Sequence, residues 1–149
     1  MTEMKIGLTA KSVETVLYTN IASALGSGNL SVYATPAMIA LMEKAACNLL
    51  SPYLENDSSS VGISMNITHD SATLPGKIIT ATAELISIEG RKLTFKVSAQ
   101  DEYGIIGKGI HVKPLATSLL TIITDGVQNT DTVSIPLKLH ILTIVSSTR

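Results

Sequence analysis

Three side chains in the first half of the chain have the chemical types that acid–base catalysis uses: the hydroxyl of Thr35, the carboxylate of Glu43 and the imidazole of His69. A glutamate among apolar neighbours is costly to bury ionised unless it pairs or takes up a proton, so it is a candidate acid or base. An imidazole beside it could shuttle the proton. Structural interpretations stay open: a helix cap for Thr35, an edge position or an ion pair for Glu43, and a satisfied core position for His69.

The element that positions Thr35 and Glu43 is a helix predicted over residues 36–50, which are rich in Ala, Leu and Met and lack Gly. Thr35 is the expected N-cap and Pro36 the first helical residue. On a helical wheel Glu43 lies on the apolar face, among Ile39, Ala40, Ala46, Cys47 and Leu50. Thr35 and Glu43 are separated by about 12 Å of helical rise, so a substrate, His69 or a second subunit must bridge them.

The remaining elements are strands, because apolar and polar residues alternate with a period of two. The clearest alternating runs cover residues 61–68, 79–85, 93–99 and 105–112, and a weaker one covers 12–18 before a loop at 20–31. His69 follows the first run in register with its inward residues, so it could meet Glu43. Gly107 and Gly109 indicate a bulge or a close backbone approach. We expect consecutive antiparallel strands wrapped around the helix in a two-layer α+β domain.

Composition excludes several classes of partner. Lys and Arg number 11 against 12 Asp and Glu, so a net charge of -1 gives no footprint for nucleic acid or an anionic membrane. Charged residues are only 15% of the 149, and we expect part of the surface to be buried in another subunit. The longest apolar stretches, 115–124 and 139–145, are shorter than the ~20 residues of a membrane span. No secretory signal is readable at the start, so the expected location is cytoplasmic.

Metal, nucleotide and cysteine chemistry find no support in the sequence. His69, His111 and His140 have no ligand-like spacing with cysteines or carboxylates, so no metal site is expected. The glycines at 104, 107 and 109 do not open a helix, which disfavours a phosphate-cradling loop. Cys47, the only cysteine, is predicted to be an inert packing residue on the apolar helix face.

The helix start, A-T-P-x-M-x-x-L-M-E, together with a downstream glycine and histidine, resembles the fluoroacetyl-CoA thioesterase-like family of hot-dog fold acyl-CoA thioesterases. The resemblance covers the chain from about residue 5 to residue 113 and is carried by residues 32–46, 61–69, 72–76, 89–95 and 107–111. It implies a long central helix wrapped by a five- to six-stranded antiparallel sheet. It also implies a homodimer that binds acyl-CoA at the subunit interface, with CoA as part of the substrate and no separate cofactor.

The family's functional residues are matched one by one in this sequence. Its threonine, glutamate and histidine correspond to Thr35, Glu43 and His69, and its glycine beside the thioester carbonyl corresponds to Gly62. The family commonly has a further basic residue after its Gly-x-His strand, and Lys113 occupies that place as the expected gating or CoA-contacting residue. The loop before the helix lacks the aromatic residues associated with fluoroacetyl selectivity.

These observations lead to the hypothesis of a thioesterase that hydrolyses a small or medium acyl-CoA to the free acid and CoA. The main alternative is a non-catalytic acyl-CoA-binding protein of the same fold, and a degenerate monomeric member is another. Residues 1–114 are predicted to form the hot-dog domain. Residues 115–149 form a divergent Thr/Ser/Ile/Leu-rich tail to which the sequence assigns neither structure nor role.

Overall fold

The computed structural model describes residues 3–55 and 58–116. The predicted tail lies outside the described residues, except that Leu115 and Ala116 continue the last strand. The elements, in chain order, are β1 (Thr9–Thr15), α1 (Ala22–Leu25), α2 (Thr35–Leu50), a 3-10 turn (Ser51–Tyr53), β2 (Ser59–Ser60), β3 (Ser64–His69), β4 (Ile78–Glu89), β5 (Lys92–Asp101) and β6 (Gly104–Ala116).

All strands pair antiparallel in one curved sheet, in the order β1-β4-β5-β6, with β3 and the short β2 both on the outer side of β6. The expectation of consecutive neighbours is right for β4, β5 and β6 but wrong for β3, which pairs with β6 instead of β4. The reason is that β1 and β5 already occupy the two edges of β4. The register places His69 opposite Gly107 and Met65 opposite His111.

The core lies between α2 and the inner face of the sheet, as the period-two patterns predict. The buried positions of β4 and β5 are the predicted ones, namely Ile79, Ala81, Ala83, Leu85, Leu93, Phe95, Val97 and Ala99. The Ser12 hydroxyl donates a hydrogen bond of 2.6 Å to the Leu41 carbonyl and so ties β1 to the helix. Neither of the two described α-helices has the length and hydropathy that a membrane span requires.

Helix α2 is confirmed, but its buried stripe is rotated from the predicted one. The buried residues are Met38, Leu41, Met42, Ala45, Ala46, Leu49 and Leu50. Cys47 is exposed, so its prediction as a packing residue is wrong, and Glu43 lies at the margin of the stripe instead of its centre. The physical reason is that Met38, Leu41, Met42 and Leu49 bury more apolar area than the smaller alanines near Glu43.

The N-terminal elements are shifted from their predicted places. The outer strand begins at Thr9 and ends at Thr15, three residues earlier than the weak alternation indicates. The predicted loop at 20–31 contains the one-turn helix α1, which ends at Gly26 in the left-handed region (φ 69°). Ile21 forms a β-bridge with Tyr33, so the two ends of this segment are held together directly before α2.

The two glycines of β6 allow β3 to approach closely, and the register of β5 with β6 also shifts beside Gly107, so both roles predicted for them are found. A Cβ atom at Gly107 would collide with the Thr68 carbonyl, and one at Gly109 would collide with the Asn66 carbonyl. Since β3 carries His69 at its end, the position of that imidazole depends on these glycines.

We predict that Gly109→Ala lowers the free energy of unfolding by about 2 kcal/mol or more, because β3 must move away from β6. Urea denaturation followed by circular dichroism measures the change. The matched control is Lys108→Ala at the neighbouring exposed position, with an expected change within about 0.5 kcal/mol. Equal destabilisation by both substitutions would contradict the close approach.

Candidate active site

The first polar cluster of the site lies where α2 begins. Thr35 is the first helical residue and Ala34 is the N-cap, without a side-chain capping bond, so the predicted capping role of Thr35 is wrong. The hydroxyl is used elsewhere: Thr35 Oγ1 and His69 Nδ1 are hydrogen-bonded at 2.8 Å. The end of β3 and the start of α2 therefore hold a hydroxyl and an imidazole in direct contact.

A buried tyrosine fixes the segment that leads into this cluster. Tyr33 is fully buried, and its hydroxyl donates a hydrogen bond to the Glu14 carboxylate on β1. Burial and that hydrogen bond raise the pKa of Tyr33, so its hydroxyl stays protonated. The Tyr33 amide donates to the Thr73 carbonyl at 2.8 Å, and the Ala34 amide donates to the Asn20 carbonyl at 3.0 Å. Thr35 is therefore held by the two residues before it.

A cleft of about 210 Å³ opens beside the Thr35–His69 pair. Its lining consists mainly of small side chains and comprises Ala22, Ser27, Val32, Tyr33, Thr35, His69, Asp70, Ser71 and Ala72. The partly buried His69 contributes an Nε2 atom that is buried and has no hydrogen-bond partner among the residues described. An orphaned buried nitrogen in a cleft is a contact point for a ligand.

The environment of His69 favours its neutral form. Burial lowers the pKa of His69, and the Ser71 backbone and the Asp70 charge oppose that shift only in part. The imidazole is thus neutral near pH 7 and able to accept a proton.

The second polar cluster surrounds Glu43, two turns further along α2. The Glu43 side chain is 42% exposed, and its Oε1 atom lies 3.8 Å from Nε2 of His111. The prediction that Glu43 meets His69 is wrong within one chain. His111 is the imidazole beside Glu43, and His69 contacts Thr35. The physical reason is the rise of the helix, which separates the two clusters by about 12 Å.

Gly62 lies against this second cluster, in the segment that connects β2 and β3. Residues 61–63 do not form a regular strand, but the amides of Val61 and Ile63 still donate hydrogen bonds to β6 carbonyls. A Cβ atom on Gly62 would lie 2.6 Å from Glu43 Oε1 and 2.9 Å from His111 Cε1. A larger residue would displace the Glu43 carboxylate and press on the buried His111 ring, so glycine permits this close approach.

His111 is the site residue that the sequence interpretation missed. It is 1% exposed, and its Nδ1 atom lies 3.0 Å from the Ser64 carbonyl oxygen. Burial lowers the pKa of His111, with Lys113 acting in the same direction and the Ser64 carbonyl and Glu43 opposing. One signal in the sequence points to His111. It lies on the inward side of the last alternating run, which faces the helix that carries Glu43.

The predicted CoA contact, Lys113, lies next to the same cluster. Lys113 is 4% exposed, and its ammonium group donates a hydrogen bond of 3.1 Å to the sulfur of Cys47, one helical turn from Glu43. Across residues 3–55 and 58–116, no group of three or more His, Cys, Asp or Glu side chains is arranged to hold a metal ion.

The architecture and the two clusters define the class of protein. An antiparallel sheet wrapped around one long central helix is the hot-dog fold, as predicted. A family model described as fluoroacetyl-CoA-specific thioesterase matches residues 16–117, and the chain therefore belongs to that family.

Individual relatives agree with this assignment. The chain is 48% identical over 80 residues to a fluoroacetyl-CoA thioesterase from Streptantibioticus cattleyicolor, an alignment that covers 54% of this chain. The chain spans only 58% of the length of that curated relative. The solved structure of the fluoroacetyl-CoA thioesterase FlK superposes with a TM-score of 0.76 at 33% identity, covering 87% of this chain and 99% of FlK. A variant of FlK in complex with fluoroacetate and CoA gives a TM-score of 0.73 at 35% identity, over 76% and 96% of the two chains.

The lowered pKa values of His69 and His111 predict that stability falls on acidification between pH 7.5 and 5.5. The folded state binds protons less readily than the unfolded chain at these positions, so stability present above the ordinary histidine pKa of 6.5 is lost below it. Urea denaturation at three pH values measures the dependence, and His69→Gln should make it shallower. Asn66→Gln, at an exposed position of the same strand, should leave the wild-type dependence. A stability that rises on acidification in this range would contradict the prediction.

Proposed function

We propose that this protein hydrolyses a small or medium acyl-CoA thioester to the free acid and CoA. The observation that carries the proposal is that the Glu43 carboxylate lies against Gly62, where a Cβ atom would be only 2.6 Å from Oε1, in a family named for thioester hydrolysis. The hydrogen-bonded Thr35–His69 pair beside a cleft of about 210 Å³ supports it further, because that volume suits a short acyl chain.

Each site residue has a proposed role. The thioester carbonyl points at the Gly62 amide, which stabilises the negative charge that develops on the carbonyl oxygen. Glu43 takes a proton from water as the water oxygen adds to the carbonyl carbon, or attacks that carbon itself to form an anhydride that water later hydrolyses to the free acid. The C–S bond then breaks, and His69 shuttles a proton to the leaving CoA thiolate. Thr35 positions the carbonyl through its hydroxyl.

The separation of the two clusters supports a site shared between two copies of the chain. Thr35 and His69 lie about 12 Å along α2 from Glu43 and Gly62, which is too far for both clusters of one chain to reach the same carbonyl carbon. In a two-fold dimer the first cluster of one protomer can face the second cluster of its partner. We therefore propose that the active unit is a homodimer with two such composite sites.

The edge of the sheet supports the same assembly. The outer edge of β3 has no strand paired to it in the part of the chain that the structure describes, and β3 is preceded by Ile63, which is 58% exposed. An open strand edge beside an exposed apolar side chain is a template for pairing with another strand, and a second copy of β3 is self-complementary across a two-fold axis.

CoA is proposed as part of the substrate, with no separate cofactor or metal. Lys113 is the proposed basic residue for the CoA moiety, and its ammonium group would exchange the Cys47 sulfur for an oxygen of CoA. We further propose a cytoplasmic location, where acyl-CoA thioesters are available.

We predict that Glu43→Gln lowers kcat by at least about 100-fold, because the amide cannot accept the proton of the attacking water. A thiol-release assay over short, branched and aromatic acyl-CoAs measures the rate and identifies the preferred acyl group. Glu84→Gln, a carboxylate on the opposite face of β4 from the core, is the matched control and should retain the wild-type rate.

A folded Glu43→Gln variant with near-normal turnover would remove Glu43 from the mechanism. If the wild-type protein releases no thiol from any acyl-CoA but melts at a higher temperature in its presence, it is an acyl-CoA-binding protein and the hydrolase proposal is wrong.

We predict that two inactive variants restore activity when combined in one dimer. In a heterodimer of His69→Gln and Glu43→Gln protomers, one composite site loses both residues and the other keeps both. Co-expression with two different affinity tags yields the heterodimer, whose thiol-release rate should be about half that of the wild-type dimer.

Each homodimeric variant, carrying the same two tags, is the control and should be inactive. A heterodimer as inactive as its parents, or a wild-type protein that sediments as a monomer, would contradict the shared site.

A further inference from the structure

The tautomer of His111 can be read from its hydrogen bond. The Ser64 carbonyl oxygen, 3.0 Å from Nδ1, only accepts hydrogen bonds, so Nδ1 must carry the proton. In the neutral imidazole, Nε2 then carries a lone pair and no proton. This atom is buried and has no hydrogen-bond partner in the described parts of the chain, and the Glu43 carboxylate oxygen lies 3.8 Å away.

Two acceptors that face each other in this way repel unless a proton lies between them. Adding one proton to the pair turns the contact into a strong hydrogen bond. The proton lies either on His111, whose imidazolium then donates to the carboxylate, or on Glu43, whose carboxylic acid then donates to Nε2. Gly62 leaves the space between the two side chains free of a Cβ atom, so a small movement of Glu43 closes the remaining distance.

We propose that Glu43 and His111 act as one proton-accepting pair, in which the tautomer imposed by Ser64 lets His111 Nε2 take up the proton that Glu43 removes from water. His111 is thus a positioning residue that acts through Glu43. As the O–H bond of water breaks and the C–O bond to the thioester carbon forms, the proton passes through the carboxylate to Nε2. When the C–S bond breaks, the pair gives up that proton and the CoA thiolate receives one through His69.

The groups packed around the pair fit this role. Glu43 from α2 attracts a proton to the imidazole, and Lys113, two residues along β6, opposes protonation. From β5, the Phe95 ring lies 6.2 Å from the His111 ring, centre to centre, and contributes no charge. Burial therefore keeps His111 neutral before the reaction, and the carboxylate makes it the preferred place for the proton that the reaction releases.

The shared proton can be measured without substrate, although its use in catalysis depends on the hydrolase activity proposed above. Long-range ¹H–¹⁵N spectra of histidine-labelled protein report the tautomer and the protonation midpoint of each imidazole. His69→Gln and His140→Gln assign the His111 signals by elimination. We expect an Nδ1–H tautomer for neutral His111 and a midpoint that moves to lower pH in Glu43→Gln. Glu84→Gln is the control and should leave the midpoint unchanged.

An Nε2–H tautomer, or a His111 midpoint that is the same in wild-type protein and Glu43→Gln, would overturn the proposal. In the thiol-release assay, His111→Gln should lower kcat at least about tenfold with little change in KM and should shift the acidic limb of the pH profile. A coupled pair in a protein that releases no thiol would support the shared proton while contradicting the hydrolase function.

Discussion

The straight rise of helix α2 is the constraint on which the site depends. Thr35 begins the helix and Glu43 lies two turns along it, so the helix keeps the hydroxyl and the carboxylate about 12 Å apart along its axis. The helix cannot bend to bring them together, because its buried stripe is fixed against the sheet and Ser12 ties the middle of it to β1. Each of the two positions therefore has its own imidazole, His69 at the start of the helix and His111 beside Glu43 in its middle.

The pairing of β3 with β6 places both imidazoles on the same face of the sheet. Antiparallel pairing of β3 with β6 places His69 opposite Gly107, and it places His111 opposite Met65. The glycines of β6 permit the close approach of β3, and the same approach brings Gly62 to the Glu43 carboxylate. A shift of this pairing by one residue would turn His69 away from the helix, whereas His111 would stay inward because β6 is also paired with β5.

Much of the fold follows from the sequence, because burial on one face of a strand imposes the alternation seen in β4 and β5. The place of β3 does not follow from it, since alternation shows which face is buried and not which strand lies alongside. A local rule predicts that Thr35 caps the helix, whereas its hydroxyl is hydrogen-bonded to a histidine 34 residues away. The helical wheel places Glu43 within the apolar face, with Cys47 beside it, because it weighs alanine and methionine alike, although methionine buries far more area.

His111 shows why part of the site could not be predicted. The alternation of the last run indicates an inward position for His111, but an inward histidine is usually a satisfied core residue. Alternation does not show that Ser64 bonds one ring nitrogen and that the other faces a carboxylate. Both imidazoles have pKa values lowered by burial, and both retain an unpartnered Nε2 atom within the described structure. One lies beside a hydroxyl and the other beside a carboxylate. In the proposed reaction the first moves a proton to the leaving thiolate, and the second holds a proton taken from water.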